Sequence, residues 1–178
     1  MLPKILSQST LLTNNERTAC SESLNAGENQ MDPLPRGRTV EVRISKLIRA
    51  PLAEVFAWCT DYSDLDPEIM GSKGFQARGI ISREKDRIVF ADTYSDPSIK
   101  PRNVEVSLLP PDAWHAKFSG GRWEGTGVYK LSETPNGTRL EILFRIEKAI
   151  EGYTAEDLKQ RANKVWDAYV AAVEKSLR

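Results

Sequence analysis

The last part of the chain carries one continuous apolar stripe, and this stripe constrains the fold more than any other feature of the sequence. Its members recur every three or four residues, apart from one adjacent pair, and are Leu158, Ala162, Val165, Trp166, Tyr169, Val173 and Leu177. That spacing predicts a helix with a single apolar face over residues 154–177, which at 1.5 Å per residue would be about 36 Å long. Such a helix must lie against an apolar surface of similar length.

The start of this helix is marked as clearly as its apolar face. Thr154, followed three residues later by Asp157, resembles a capping box with Asp in place of the usual Glu. Acidic side chains at Glu156 and Asp157 also suit the positive end of the helix dipole. We therefore expect the helix to begin just after Thr154.

Seven segments upstream of the helix show the patterns of β-strands. The first alternates strictly from residue 39 up to a break at Arg49-Ala50-Pro51, and the others cover about 74–83, 87–95, 102–109, 113–119, 122–132 and 138–148. Glu84-Lys85-Asp86 and Asn136-Gly137 are the clearest turns between them. Because connections this short join antiparallel neighbours, we expect an antiparallel sheet.

Two short helices are predicted between the first and second strands. The first has Pro51 in its opening turn and an apolar face made of Leu52, Val55, Phe56 and Cys59. The second is expected to end near Asp66-Pro67. The element order predicts the α+β class, with a curved seven-stranded antiparallel sheet wrapped around the long C-terminal helix and a space enclosed between the two layers.

Composition excludes several kinds of function. Lys plus Arg equals Asp plus Glu at 25 each, whereas a dedicated nucleic-acid-binding protein usually carries a basic excess. One His and two Cys are too few for the usual four-ligand zinc site, and they weaken any catalytic triad built on His. No apolar run approaches the roughly 20 residues that span a bilayer. We therefore expect no metal, no cofactor, no nucleic-acid partner and no integral membrane segment.

Residues 1–37 differ from the rest of the chain. They contain no aromatic residue and are rich in Ser, Thr, Asn and Gln. Such a segment has too little apolar surface to offset the entropy of ordering, so we predict a disordered tail before a domain at 38–178. Its apolar clusters are too short for a signal peptide. An alternative is that translation begins at Met31.

Several motifs together resemble the START-like (SRPBCC) superfamily, which has the helix-grip fold and includes polyketide cyclases and lipid-transfer proteins. They are Ile48-Arg49-Ala50-Pro51, Glu54-Val55-Phe56, Asp61-Tyr62, Gly120-Gly121 and Gly137-Thr138-Arg139-Leu140. The resemblance covers about residues 38–178. It implies an apolar ligand cavity between the sheet and the long helix. Since the superfamily shares no catalytic residue set, it assigns no catalytic residue here.

Strand alternation and the helix stripe indicate which side chains face the predicted cavity. The candidate lining residues are Phe90, Asp92, Tyr94, Trp114, Phe118, Trp123, Gly125, Gly127, Tyr129, Trp166 and Tyr169. Two alternatives remain open for the glycines, because a glycine inside a strand marks either room for a ligand or a bend of the sheet. The aromatic residues fit both a ligand-binding wall and an ordinary core.

Asp92, Tyr94 and Tyr129 are the polar candidates on the inward face. They would support an acid-base role only if they converged around one space; otherwise Asp92 is structural, with Lys100 and Arg102 the nearest basic residues in sequence. Alternation places His115 on the outer face. Cys59 is expected to be a buried structural thiol, without support for a bond to Cys20. The acidic cluster Asp61, Asp64, Asp66 and Glu68 lacks the spacing of a Ca²⁺ loop and is expected to cap turns.

These observations favour a cytoplasmic module that binds or carries an apolar small molecule such as a lipid, isoprenoid or quinone-like compound. A cyclase or aromatase acting on a ligand in the same cavity is the enzymatic alternative. A co-chaperone or respiratory-assembly factor using the outer face is the third. Transient membrane contact and any oligomeric state are left open by the sequence.

Overall fold

The computed structural model describes residues 39–63, 66–69, 74–149 and 154–177. Its elements are β1 (Val40–Ile48), α1 (Leu52–Cys59), α2 (Asp66–Ile69), β2 (Phe75–Arg83), β3 (Arg87–Tyr94), β4 (Arg102–Leu109), β5 (Ala113–Gly120), β6 (Trp123–Thr134), β7 (Gly137–Ala149) and α3 (Ala155–Ser176). Seven strands and the long last helix follow the expected order, so the predicted α+β class is confirmed. The predictions for residues 1–37, including Met31 and Cys20, lie outside the described residues.

All seven strands belong to one antiparallel sheet with the order β1-β7-β6-β5-β4-β3-β2. From β2 to β7 each strand pairs with its neighbour in sequence, as the short connections predict. β1 pairs instead with β7, with Val40 opposite Ile146 and Ile48 opposite Thr138. The first and last strands are therefore neighbours, and β1 and β2 form the two edges.

The long helix packs its apolar stripe against the sheet. Trp166, Tyr169 and Val173 are buried, and Leu158 and Ala162 pack on the edge of the same core. Fully burying one aliphatic side chain such as that of Val173 stabilises a fold by about 1.5–3 kcal/mol. The predicted capping box is confirmed as well, because the Thr154 hydroxyl accepts from the Asp157 N–H while Asp157 accepts from the Thr154 N–H.

The inward faces of the central strands follow the predicted alternation. On β5 the side chain of Trp114 is buried, whereas His115 is exposed, as expected. On β6 the residues from Gly125 to Leu131 alternate between buried and outward positions. The period-two pattern of these strands therefore predicts correctly which side chains enter the interior.

The second short helix differs from the expectation. It begins at Asp66, where it was predicted to end, and runs to Ile69. Pro67 lies in its first turn, where the missing N–H of proline breaks no intrahelical hydrogen bond. The same Asp-Pro pair thus starts a helix here.

No described helix is long and apolar enough to cross a membrane.

One buried hydrogen bond joins β7 to the segment before α1. The Thr138 side chain is fully buried, and its hydroxyl donates to the Ala50 carbonyl oxygen at 2.8 Å. We expect Thr138→Val to lower the free energy of unfolding by about 1–2 kcal/mol, because it leaves a buried carbonyl without its donor. Chemical denaturation measures this. Thr93→Val is the matched control, since the Thr93 hydroxyl makes only a 3.3 Å exposed contact with the Ala77 carbonyl; an equal loss in both variants would contradict the prediction.

Candidate functional site

A cavity of about 250 Å³ lies between the concave face of the sheet and α3. All seven strands of the sheet contribute side chains, and α3 contributes the N-terminal half of its apolar stripe. Cys59 at the end of α1 and Tyr62 just after it close one side. The space is therefore bounded by both layers of the fold.

Most of the residues predicted to face this space do line it. They are Phe90, Tyr94, Trp114, Phe118, Trp123, Tyr129, Trp166 and Tyr169. They come from three strands and one helix, so the fold gathers residues that are far apart in sequence. Asp92, Gly125 and Gly127 are not among the lining residues, and each has a different physical reason.

The aromatic rings of the wall pack tightly against one another. Trp114 and Tyr129 are stacked, with centroids 4.8 Å apart and planes within 6°. Tyr129 also contacts Trp166 across the sheet-helix boundary at 5.8 Å. At the other end of β6, Trp123 lies 4.6 Å from Phe118. These contacts hold flat apolar surfaces in place around the space.

The space above Gly127 is filled by the protein's own side chains. A Cβ atom at this position would lie 2.9 Å from the Tyr129 ring and 3.1 Å from the Phe144 ring. Gly127 therefore leaves room for these two rings rather than for a ligand.

Gly125 marks an irregularity of the sheet. It follows the register shift between β6 and β7 at Glu124, and its φ of +154° is rare for residues with a side chain. A Cβ atom there would collide with the Arg145 carbonyl oxygen. Gly125 therefore accommodates a sheet irregularity and a close backbone approach, and it does not provide room for a ligand.

Asp92 is enclosed by arginines and does not reach the cavity. Its side chain is fully buried, and Oδ1 accepts from Nε of Arg78 at 2.8 Å. Its other oxygen accepts from Nη2 of Arg102, which is one of the two basic residues that lie near it in sequence. Since Asp92 is paired twice, the trio of Asp92, Tyr94 and Tyr129 does not converge around one space.

Arg78 is the centre of this buried cluster. Besides Asp92, it donates from Nη1 to Asp66 at 2.9 Å and to the Ser63 carbonyl at 3.3 Å. Its guanidinium lies over the Phe90 ring, 4.2 Å from the centroid. Burial works to lower the pKa of Arg78, but hydrogen bonds to Asp92 and the two carboxylate charges outweigh it, and the pKa is raised. Arg78 therefore stays charged.

Asp66 links this cluster to the long helix. The Tyr169 hydroxyl on α3 donates to Oδ1 of Asp66 at 3.2 Å. Burial raises the pKa of Asp66 to about 6, against the opposing charge of Arg78, and the nearby Asp61 raises it further. Asp66 thus joins α2, β2 and α3 beside the cavity and titrates near neutral pH.

The tyrosines around the cavity are hydrogen-bond donors rather than bases. Burial raises the pKa of Tyr62, Tyr129 and Tyr169 above the usual value for a phenol. Their hydroxyls therefore stay protonated at neutral pH. Tyr62 also has a φ of +50°, a conformation that few residues other than glycine adopt, and its ring packs 5.2 Å from Phe90.

Arg78 and Tyr62 were not among the residues predicted for the site. Tyr62 belongs to a turn, where no periodicity indicates direction. Arg78 lies on β2 between two register shifts, which break the alternation of that strand. Hairpin symmetry is the signal that could have found it, because Arg78 and Asp92 are equally distant from Lys85 in the predicted turn and do pair in the sheet.

Cys59 and the acidic cluster that begins at Asp61, the other residues considered in the sequence, have structural roles. Cys59 is buried with a free thiol, and desolvation raises its pKa, so it is not an activated nucleophile. Asp61 accepts from the Ser63 N–H at 3.0 Å and so caps a turn, as expected of this acidic cluster. Asp64 and the Glu68 side chain lie outside the described part of the chain.

We expect Arg78→Met to destabilise the fold by about 3–5 kcal/mol, because it leaves two buried carboxylates without their main partner. Denaturant unfolding measures this loss. The double variant Arg78→Met with Asp92→Asn should lose less than the sum of the single variants, since the second change removes one of the orphaned charges. Strict additivity would show that the two side chains do not interact.

The pH dependence of stability should report the buried Asp66. Its folded pKa of about 6 exceeds its ordinary value of 3.8, so the folded state holds the proton more tightly. The stabilisation from this proton is fully present below about pH 4 and is lost as the pH rises to about 6. In unfolding measurements, Asp66→Asn should therefore gain stability relative to the unaltered chain over this window. A difference that does not vary with pH would contradict the raised pKa.

The fold resembles those of several solved structures, although no protein-family model and no curated protein matches the sequence. Protein TTHA0849 from Thermus thermophilus has a TM-score of 0.60 at 16% identity, covering 78% of this chain and 99% of that one. The Zhui aromatase/cyclase from Streptomyces sp. R1128 has a TM-score of 0.58 at 12% identity, covering 79% and 94%.

A START superfamily protein from Mycobacterium smegmatis has a TM-score of 0.54 at 10% identity, covering 78% of this chain and 97% of that one. At these identities the likeness concerns the fold alone. Together with the seven-stranded sheet and the long C-terminal helix, it shows that this chain has the START-like, helix-grip fold.

Proposed function

We propose that the domain at residues 38–178 binds or carries a small apolar molecule in the cavity between the sheet and α3. The observation that carries this proposal is the cavity itself, which is walled mainly by aromatic and aliphatic side chains. An apolar pocket with a few placed polar groups is typical of small-molecule sites. The neutral hydroxyls of Tyr62 and Tyr129 would supply hydrogen bonds to such a molecule.

The size of the space limits the ligand. Its volume of about 250 Å³ is below the range of roughly 300–1,000 Å³ that is usual for drug-sized ligands. A compact isoprenoid, a quinone-like ring or a short acyl chain therefore suits it better than a lipid with two long chains. The stacked rings of Trp114 and Tyr129 favour a flat ligand.

Two alternatives receive less support. One structural neighbour is an aromatase/cyclase, but in this chain Asp92 is locked between Arg78 and Arg102, and the tyrosines are held as neutral phenols. A role on the outer face would need a continuous apolar patch. The most exposed large apolar side chain among the described residues is Ile81 on the edge strand β2, and nothing indicates a partner for it. We therefore favour ligand binding over both alternatives. We further propose that the protein acts in the cytoplasm and needs no cofactor.

Filling the cavity should weaken binding without unfolding the protein. Ala162 lines the cavity from α3, whereas Ala168 is exposed on the same helix. We expect Ala162→Phe to weaken binding of the neutral fluorescent probe N-phenyl-1-naphthylamine by at least about tenfold, because the new ring occupies the space. Ala168→Phe is the matched control and should bind the probe like the unaltered chain.

The proposal fails if the unaltered protein does not bind this probe, or if both variants bind it equally.

Native mass spectrometry of protein purified from its own host is a second test, and it would identify the natural ligand. A mass that exceeds that of the chain, and that returns to it after denaturation, is the expected result.

A further inference from the structure

The charged side chains that line the cavity are mostly arginines. Among the described residues they are Arg78, Arg102, Arg122 and Arg161, together with the acid Asp66. Asp92 adds a second carboxylate directly behind the wall. Among the described residues, Arg78, Arg102 and Arg122 outnumber the two carboxylates Asp66 and Asp92, although the chain as a whole has no net charge.

The hydrogen bonds of the cluster leave one buried nitrogen without an acceptor among the described residues. Arg78 donates hydrogen bonds to Asp66, Asp92 and the Ser63 carbonyl oxygen. Arg102 donates to Asp92 through Nη2 only, and its Nε is buried without a hydrogen-bond partner among the described residues. A buried donor without an acceptor is costly and is normally satisfied in native proteins. The position of Arg102 in the cavity wall allows a ligand to satisfy it.

A second arginine lies close to Arg102. Arg122 is half-buried in the turn between β5 and β6 and also lines the cavity. The stem of Arg102 packs over this turn, since a Cβ atom on Gly121 would lie 2.9 Å from that of Arg102. Arg122 makes no ion pair with the described residues. The pKa of exposed Asp96 is lowered mainly by hydrogen bonds from Ser98, and the charge of Arg122 adds a smaller effect.

We infer that the ligand carries an oxyanion, such as a carboxylate, which binds Arg102 and Arg122 while its apolar body lies among the aromatic rings. This inference rests on the proposed function and narrows its ligand to a small amphipathic acid. Guanidinium groups present several N–H donors in a planar fork that matches an oxyanion, and such charge-assisted hydrogen bonds are among the stronger ones. The apolar wall and the arginine pair then fix the orientation of the ligand.

Two probes with the same skeleton separate the two claims. N-phenyl-1-naphthylamine is neutral, and 1-anilinonaphthalene-8-sulfonate is the same molecule with an added oxyanion. We expect the sulfonate probe to bind the unaltered protein at least about tenfold more tightly, as a charge-assisted hydrogen bond would produce. Failure of the neutral probe to bind would count against the proposed function, whereas equal affinities of both probes would overturn only the oxyanion inference.

Variants assign the effect to the arginines. Arg122→Gln should lower the affinity for the sulfonate probe by about tenfold and leave the affinity for the neutral probe unchanged. Arg139→Gln is the matched control, because Arg139 is exposed on β7 and does not line the cavity. If both variants weaken the sulfonate probe equally, or if neither does, the anion is not held by Arg122 and the inference is wrong.

Arg102 needs a more conservative change because Asp92 depends on it. Arg102→Lys keeps a positive charge beside Asp92 but removes the Nε donor. We expect weaker binding of the sulfonate probe, unchanged binding of the neutral probe and a thermal midpoint close to that of the unaltered chain. Parallel loss of both probes would show that the substitution damages the cavity as a whole, and the role of Nε would be rejected.

Discussion

The buried ion cluster around Arg78 is the interaction on which the site depends. A charge taken out of water must be paired, and here one guanidinium serves two carboxylates while an aromatic ring covers its face. Through these contacts β2 is joined to β3, to α2 and, by way of Asp66 and Tyr169, to α3. The cluster therefore closes one side of the cavity and links the helical layer to the sheet edge.

A cavity inside a protein is costly, because side chains that face empty space lose packing contacts on that side. The ion cluster around Arg78 helps to hold the walls of this cavity together. The aromatic rings reduce this loss by packing on one another, as Trp114 does on Tyr129 and Tyr129 on Trp166. Two inward positions are glycines because a side chain there would collide with neighbouring atoms. Gly127 makes room for two rings, and Gly125 accommodates the register shift between β6 and β7.

Much of the architecture could be predicted because periodicity is a local property of the chain. The stripe on α3 and the alternation on β5 and β6 specify element type and inward direction without knowledge of the partner. The lining of the cavity by Trp114, Trp123 and Trp166 follows from that direction. Asp92 was correctly placed on the inward face, but its partners could not be identified from periodicity.

Those partners depend on register, which the tertiary structure decides. On the edge strand β2 the side chain of Arg78 is buried while Ile80 and Ile81 are exposed, the reverse of what hydrophobicity alone favours. The pairing of β1 with β7 likewise joins the ends of the domain. The sequence by itself therefore determined the elements, their order and the faces of most strands. Only the folded sheet decided which charges meet and how large the enclosed space is, because both result from contacts between residues distant in the chain.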